Sequence, residues 1–339
     1  MDKFWDRDVA VILNANARKV SNRIVERVKR FVPEAQLYVS KTLDEGQDYV
    51  REIVKRNYSH LVLGGGDGTL VEIINQLRKS LREFGQSDSA MPKLGFLKLG
   101  TGNGWAGMMG VDNGKRSLPK MANPDDWRMT SFNLLETEDR LFHFAGMGWD
   151  AKILADYNQF KQRFGFGPFK RFVSGLQGYL ASMIVKTIPQ QLMEREPPHI
   201  RVINQDPEIF ECRLNQAPRP LSIGVGDTLY EGPANVFGGS TTPYYGFNLT
   251  AFPFARAKEG FMNFRIVSSG VFDCLSHWRG IFAGTYQPAG FKDFLAKRVT
   301  VELDKPRPIQ MGGDAAGFRE RWDLAVSDLS VQVLDLTTA

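Results

Sequence analysis

A chain of 339 residues with 42% hydrophobic and 24% charged side chains is long enough for two domains with real cores, which excludes a single small module and long disordered stretches. The 43 Lys and Arg against 38 Asp and Glu leave a formal net charge of +5. That excess suits phosphate-bearing ligands or an anionic surface; without a basic block or a zinc spacing it falls short of a nucleic-acid footprint. Cys212 and Cys274 form neither a disulfide framework nor a CxxC site, which favours a reducing compartment. The start, Met1-Asp2-Lys3-Phe4-Trp5-Asp6, carries acids where a signal peptide needs a basic region. Residues 232–255 lack charge, but Pro233, Pro243 and Pro253 break any helix there, so no membrane span is expected. The expectation is a cytoplasmic protein, soluble or peripheral at a membrane.

From Asp8 to about Gly110, short apolar runs alternate with helical stretches, the pattern of βαβ units around a parallel sheet. Strands are predicted over 9–13, 35–39, 60–63 and 93–99, with helices over 20–31 and 46–56. Leu70, Ile73, Ile74, Leu77 and Leu81 recur at helical spacing and predict a helix over 70–81. After about Thr130 the texture changes. Strands are predicted over 132–135 and 141–144, a mostly helical tract over 152–188, and strands over 200–203, 221–224, 247–251, 262–267, 299–303 and 329–334. An α/β domain over 1–132 is therefore followed by a mainly β domain beginning at 133.

The most informative segment is Leu63-Gly64-Gly65-Gly66-Asp67-Gly68-Thr69-Leu70-Val71-Glu72. A buried strand runs into glycines, and Thr69 with Glu72 is read as a capping box opening the next helix. Glycines let backbone amides approach a phosphate, and a helix N-terminus adds partial positive charge, so Gly65, Gly66, Gly68 and Thr69 form a candidate phosphate cradle. Alone, such a loop reads as a tight strand-to-helix turn. A second loop of the same kind, Leu99-Gly100-Thr101-Gly102-Asn103-Gly104, follows another strand, and the first strand ends in the polar Asn14-Ala15-Asn16. Three such ends meet at the carboxyl edge of a parallel sheet, where open α/β proteins bind ligands. Asp67 narrows the ligand, because a carboxylate beside a polyphosphate repels it unless a divalent cation lies between; Mg2+ with a nucleotide fits better than a bare dinucleotide. The GxGxxG spacing is broken at Thr69, and there is no Gly-Lys-Ser/Thr.

Gly65-Gly66-Asp67-Gly68-Thr69 resembles the GGDGT signature of the diacylglycerol kinase-like lipid kinases, and Leu99-Gly100-Thr101-Gly102-Asn103 resembles their LGTGN. The segment from Phe144 to Ala151 is similar to their G-x-G-[FW]-D-A, and Pro253-Phe254-Ala255 with Glu259-Gly260 to their P-x-A…DDG. The resemblance implies a Rossmann-like nucleotide domain, a β-sandwich-like lipid-substrate domain over 133–319, an active site in the cleft between them, and a C-terminal segment of about 320–339 returning to the first domain. Carried over by position, it implies that Thr42, the 65–69 loop and Thr101 contact ATP, with Asp67 near Mg2+. The family's catalytic base belongs to a late DGE motif, and Gln310-Met311-Gly312-Gly313-Asp314 stands in its place, which puts Asp314 in the role of base. Gly104 replaces the acid of GTGND, and Lys258-Glu259 replaces the acidic pair linked in some members to a structural metal, leaving Glu259 as the one ligand.

Residues 160–172 interleave five aromatics with four cations, the composition of a membrane-interface element or of a loop packed on the second domain. Tyr244, Tyr245, Phe247, Phe252 and Phe254 read as strand-pairing aromatics or as the lining of an acyl pocket. His60, His143, His199 and His277 pair with no cysteine at metal-ligand spacing, and no G-x-S-x-G elbow is present. The leading expectation is a kinase that transfers phosphate from ATP to a lipid hydroxyl: diacylglycerol by default, ceramide or a sphingoid base otherwise. The alternatives are a nucleotide- or lipid-binding protein without phosphotransfer and an NAD or sugar kinase of the related superfamily.

Overall fold

The computed structural model describes residues 8–17, 19–100, 103–112, 117–121, 127–148, 197–245 and 249–337. The described chain is mixed α/β and falls into two units. One runs to Leu134 and resumes at Asp328; the other is Leu135–Ser327.

In the first unit, β1 (Val9–Asn14), α1 (Asn22–Lys29), β2 (Leu37–Ser40), α2 (Leu43–Lys55), β3 (His60–Gly65), α3 (Asp67–Glu83) and β4 (Lys93–Lys98) alternate, and the short helices α4 (Gly104–Met108) and α5 (Ser117–Lys120) follow. The four strands are parallel in the order β4-β3-β1-β2, and Val333, near the C-terminus, pairs in parallel with Leu94 of β4. Val9 to Leu13 and Leu61 to Leu63 are buried without interruption, as strands covered on both faces must be. The 3.6-residue apolar period of α3 is as predicted, since Leu70, Ile73, Ile74, Leu77 and Leu81 are all buried. The helix begins three residues earlier than the period suggests, because Gly66 takes an extended conformation as its N-cap.

The second unit is mainly antiparallel. Its strands are β5 (Met129–Thr137), which enters from the first unit, β6 (Arg140–Phe142), β7 (Phe144–Gly148), β8 (His199–Asn204), β9 (Phe210–Cys212), β10 (Arg219–Pro220), β11 (Thr228–Pro233), β12 (Val236–Ser240) and β13 (Met262–Val267). Two short helices, α6 (Val271–Ser276) and α7 (Trp278–Ala283), precede β14 (Phe291–Ala296), β15 (Arg298–Met311) and β16 (Asp314–Leu334), which leaves for the first unit. The pairing order is β10-β9-β14-β13-β12-β7-β15, and β15 also pairs with β8, which carries β11. Gly312 and Gly313 close the β15–β16 hairpin with φ of 60° and 93°, a two-residue turn whose positive φ values favour glycine.

One predicted strand is absent and a second lies partly outside the described residues. At 221–224 the Asn204 side chain donates to the carbonyls of Ile223 and Gly224 at 3.1 and 3.2 Å, and the Gly224 amide donates to Asp227 at 2.9 Å. Side-chain bonds thus take the place of a ladder. Of the predicted strand 247–251, residues 247 and 248 lie outside the described residues and 249–251 are irregular, with Ala251 N–H on Leu249 O and Thr250 N–H on Phe282 O. The strands at 210–212, 228–233, 236–240 and 291–296 were not predicted; β11 ends in Gly232 and Pro233, which read as breakers but are tolerated where a strand has a single partner. The predicted helical tract 152–188, Trp149 to Ala151 and the aromatic tract 160–172 lie outside the described residues. No helix among the described residues is long and apolar enough to cross a membrane.

The second unit is knit by one buried ion pair. Asp293 on β14, 0% exposed, accepts from Arg265 at 2.7 and 2.9 Å, from Asn263 at 2.9 Å and from Gln287 at 2.7 Å. Gln287 also donates to Cys212 O at 3.0 Å and accepts from Leu214 N–H at 2.8 Å, which ties β13, β14 and β9 together. Removing one partner of such a pair strands the other charge away from water. Asp293→Ala should therefore cost about 3–5 kcal/mol in the chemical denaturation of this unit. A loss below about 1 kcal/mol, the range of surface pairs, would contradict this role.

Candidate functional site

Parallel pairing brings four strand ends to one edge of the first unit's sheet, with Asn14 beside Ser40, Leu13 beside Gly64, and Gly65 beside Lys98. The loops leaving β3 and β4 meet backbone to backbone at Gly66 and Gly100. A Cβ on Gly100 would lie 2.1 Å from Gly66 Cα and 2.6 Å from Gly66 N, so only glycine allows the contact. Gly64 and Gly65 are nearly as confined, by Leu13 and Thr69; a Cβ on Gly68 would meet nothing within 4 Å.

Asn103, at φ 46° and buried, holds the second loop. Its side chain accepts from Gly100 N–H at 2.8 Å and donates to Gly100 O at 2.5 Å. The next two amides belong to the first turn of α4, where helix geometry provides no intrahelical acceptor. Both point at Asp67: Gly104 N–H reaches Oδ2 at 2.8 Å and Trp105 N–H reaches Oδ1 at 3.2 Å. Asp67, itself the first residue of α3, thus caps α4 and lies at the positive ends of two helices. Trp105 is anchored by edge contacts to Phe96 at 5.0 Å and Phe132 at 5.6 Å. Burial raises the Asp67 pKa above its ordinary value, against the opposing pull of the Gly104 and Trp105 amides and of the Lys98 charge.

The first strand's end is tied to the same helix. Asn14 donates to Thr69 Oγ1 at 3.1 Å and accepts from Asn16 N–H at 2.9 Å, and Asn16 donates to Lys41 O at 2.6 Å. The capping box expected of Thr69 and Glu72 does not form, because the helix starts before Thr69; Glu72 instead accepts from Gln76 at 2.9 Å. A side-chain cap of the same spacing stands one helix earlier, with the glutamate reaching one residue beyond the N-cap. Thr42 Oγ1 accepts from Glu45 N–H at 3.1 Å, and Glu45 reaches back to Lys41 N–H at 2.7 Å. Thr42-Leu43-Asp44-Glu45 has the same T-x-x-E spacing, which was the available signal. Thr101 lies outside the described residues.

Asn14, Gly65, Gly66, Asp67, Thr69 and Asn103 therefore form one connected edge, with Thr42 joined through Lys41. Trp105 and Lys98 are residues that sequence reasoning missed, and Gly104 was read only as a departure from the motif; Lys98 could have been found as the cation at the carboxyl end of an apolar strand. Asp314 and Glu259 belong to the second unit. Asp314 is exposed and opens β16 after the Gly312–Gly313 turn, which is fixed by Gly312 N–H on Phe144 O at 2.8 Å and Gly313 N–H on Gln310 Oε1 at 3.0 Å. Glu259 follows Lys258, whose ammonium is 3.5 Å from Glu208 and lies over the Phe210 ring. Among the described residues no group of three His, Cys, Asp or Glu side chains converges to hold a metal. Mg2+ bound through phosphates needs only one or two protein carboxylates, and each Asp67 oxygen retains a lone pair beside its amide bond, so Asp67 fits that demand.

Three substitutions read this edge. Gly100→Ala should cost about 1–3 kcal/mol or more in urea unfolding, as an overpacked contact does. Gly68→Ala should leave stability within about 1 kcal/mol, since a helical Ala is favoured over Gly and the space is open; the same methyl should weaken the binding of a phosphate anion. A raised Asp67 pKa means that the folded state holds its proton longer. Wild type should thus lose stability relative to Asp67→Asn as pH rises above the ordinary carboxyl value of 3.8, and paired unfolding curves across that window check the sign.

Comparison with known proteins matches residues 8–124 to the family described as the diacylglycerol kinase catalytic domain. A Chromohalobacter salexigens protein named probable lipid kinase YegS-like is 27% identical over 150 residues, which is 44% of this chain and 46% of that protein. The match thus spans about half the length of that curated relative. The crystal structure of a diacylglycerol kinase from Bacillus anthracis superposes with a TM-score of 0.63 at 15% identity, covering 97% of both chains. A second structure from that organism gives 0.66 at 14% identity, covering 97% of this chain and 95% of that one. These likenesses show a shared fold. The part of the chain that matches the diacylglycerol kinase catalytic domain, residues 8–124, carries the entire glycine-loop edge.

Proposed function

We propose that the protein is a lipid kinase that transfers the γ-phosphoryl group of ATP to a lipid hydroxyl, with diacylglycerol as the default acceptor and ceramide or a sphingoid base as alternatives. The observation that carries the reading is the backbone contact of Gly100 with Gly66, which keeps two amide-rich loops and the start of α3 at one sheet edge within the family-matched segment. Such an edge suits a polyphosphate.

In this reading the amides of residues 65–69 and the N-terminus of α3 hold the phosphates of ATP, with Asn14, Thr42, Thr69, Thr101 and Asn103 around them. Mg2+, when bound, neutralises phosphate charge, and Asp67 is the residue that would hold it. Asp314 accepts the proton of the lipid hydroxyl as its oxygen bonds to the γ-phosphorus; the bond from that phosphorus to the bridging oxygen breaks, and ADP leaves with the electron pair. Asp is one methylene shorter than the Glu of the family motif, so the acceptor hydroxyl must come correspondingly closer to the turn that carries Asp314. Most of the acceleration then comes from positioning and charge neutralisation.

The test is transfer of label from γ-labelled ATP to a panel of diacylglycerol, ceramide and sphingoid bases in detergent micelles. Wild type should label one class. Asp314→Ala should lose on the order of 100-fold or more in turnover while keeping its affinity for ATP. Full turnover by a folded Asp314→Ala protein would remove Asp314 from the role of base. ATP binding without label on any lipid would instead favour a nucleotide-binding protein that performs no transfer.

A further inference from the structure

Seven large hydrophobic side chains are exposed among the described residues, and three of them fall within seven positions on α6 and α7: Phe272 at 67%, Leu275 at 37% and Trp278 at 57%. We infer that α6–α7 is a docking element for the surface of an anionic phospholipid bilayer. The proposal deepens the lipid kinase reading and rests on it for its purpose.

The two helices are held from beneath. Tyr286 stacks on His277 with centroids 4.2 Å apart and planes 8° from parallel, and its hydroxyl donates to Asp273 at 3.0 Å. Thr250 N–H donates to Phe282 O at 2.9 Å, and Gly284 at φ 69° ends α7. The three apolar side chains are therefore displayed by an anchored corner.

Charge and size select the occupant. Between Gly270 and Gly290 the sequence has one carboxylate, Asp273, and one permanent cation, Arg279. Asp273 is engaged by Tyr286 and lies 3.2 Å from His277 Nδ1, whereas the guanidinium of Arg279 sits 5.6 Å from the Trp278 ring. The outward face thus combines an indole, a phenyl and a leucyl group with a cation, the chemistry of the headgroup region, where the rings enter the acyl boundary and the cation meets phosphate. Fully exposed, aromatic side chains present about 150–250 Å² each, so the three together offer roughly 300–350 Å². A stable protein interface needs about 800 Å² per partner, which this patch does not approach.

Co-sedimentation of the full chain with phosphatidylcholine vesicles, with and without phosphatidylglycerol, tests the inference in the absence of ATP and acceptor. Wild type should bind the anionic vesicles more tightly, Phe272→Ser/Trp278→Ser should lose about tenfold or more, and Arg279→Glu should lose the anionic preference. Because all three side chains are exposed, circular dichroism and unfolding should match wild type. Equal binding by the folded double variant, or no vesicle binding by wild type, overturns the proposal. Concentration-dependent self-association that the double variant abolishes would also overturn it and assign the patch to a second copy. Micellar lipid phosphorylation unchanged in the double variant would show that these outcomes bear on docking and not on the kinase reading.

Discussion

The candidate site depends on a backbone approach that no side chain permits. Gly66 and Gly100 lie so close that a single methyl on Gly100 would sit 2.1 Å from a neighbouring Cα, and the loops after β3 and β4 are thereby fixed as one unit. Everything else at the edge follows from that contact. Asn103 clamps Gly100, the turn after it starts α4, and the first amides of α4 find their acceptor in Asp67 at the start of α3. In the proposed function, a phosphate at the start of α3 would meet amides that the fold already holds, so little ordering is left to the moment of binding.

Asp67 serves this arrangement in a way that its position in a glycine-rich motif does not reveal. Two backbone amides and the nearby Lys98 favour its charged form, while burial opposes it. The carboxylate is thus structural before it is anything else, joining two helix N-termini that would otherwise repel each other through their positive ends. Gly104, which departs from the acidic residue of the related motif, takes part in the same bond network as an amide donor. An acid there would add a second negative charge beside Asp67.

Much of the first unit was legible in the sequence because continuous apolar runs and a 3.6-residue period are read directly: β1, β3, β4 and the buried face of α3 stand where the pattern places them. The edge residues were legible as types, glycine, asparagine and aspartate at strand ends, yet their bonds were not. Thr69 and Thr42 both precede a glutamate by three residues, and nothing in the spacing tells which threonine caps a helix. That is decided by Gly66, which starts α3 too early for Thr69 to serve. In the second unit the short strands β9 and β12 lack a sustained alternation, and β11 carries Gly232 and Pro233, so their pairing depends on partners far away in the chain. The alternating segment Leu221-Ser222-Ile223-Gly224 failed as a strand for the opposite reason, since the distant Asn204 side chain captures the carbonyls of Ile223 and Gly224.

The most direct measurement is amide hydrogen exchange with and without ATP and Mg2+. Slowed exchange is expected at the amides of residues 65–69 and of Asn103, with little change on the far end of α3. Unchanged exchange at those amides under conditions where ATP binds, or protection confined to another part of the chain, would contradict the claim that the paired glycine loops are the phosphate cradle.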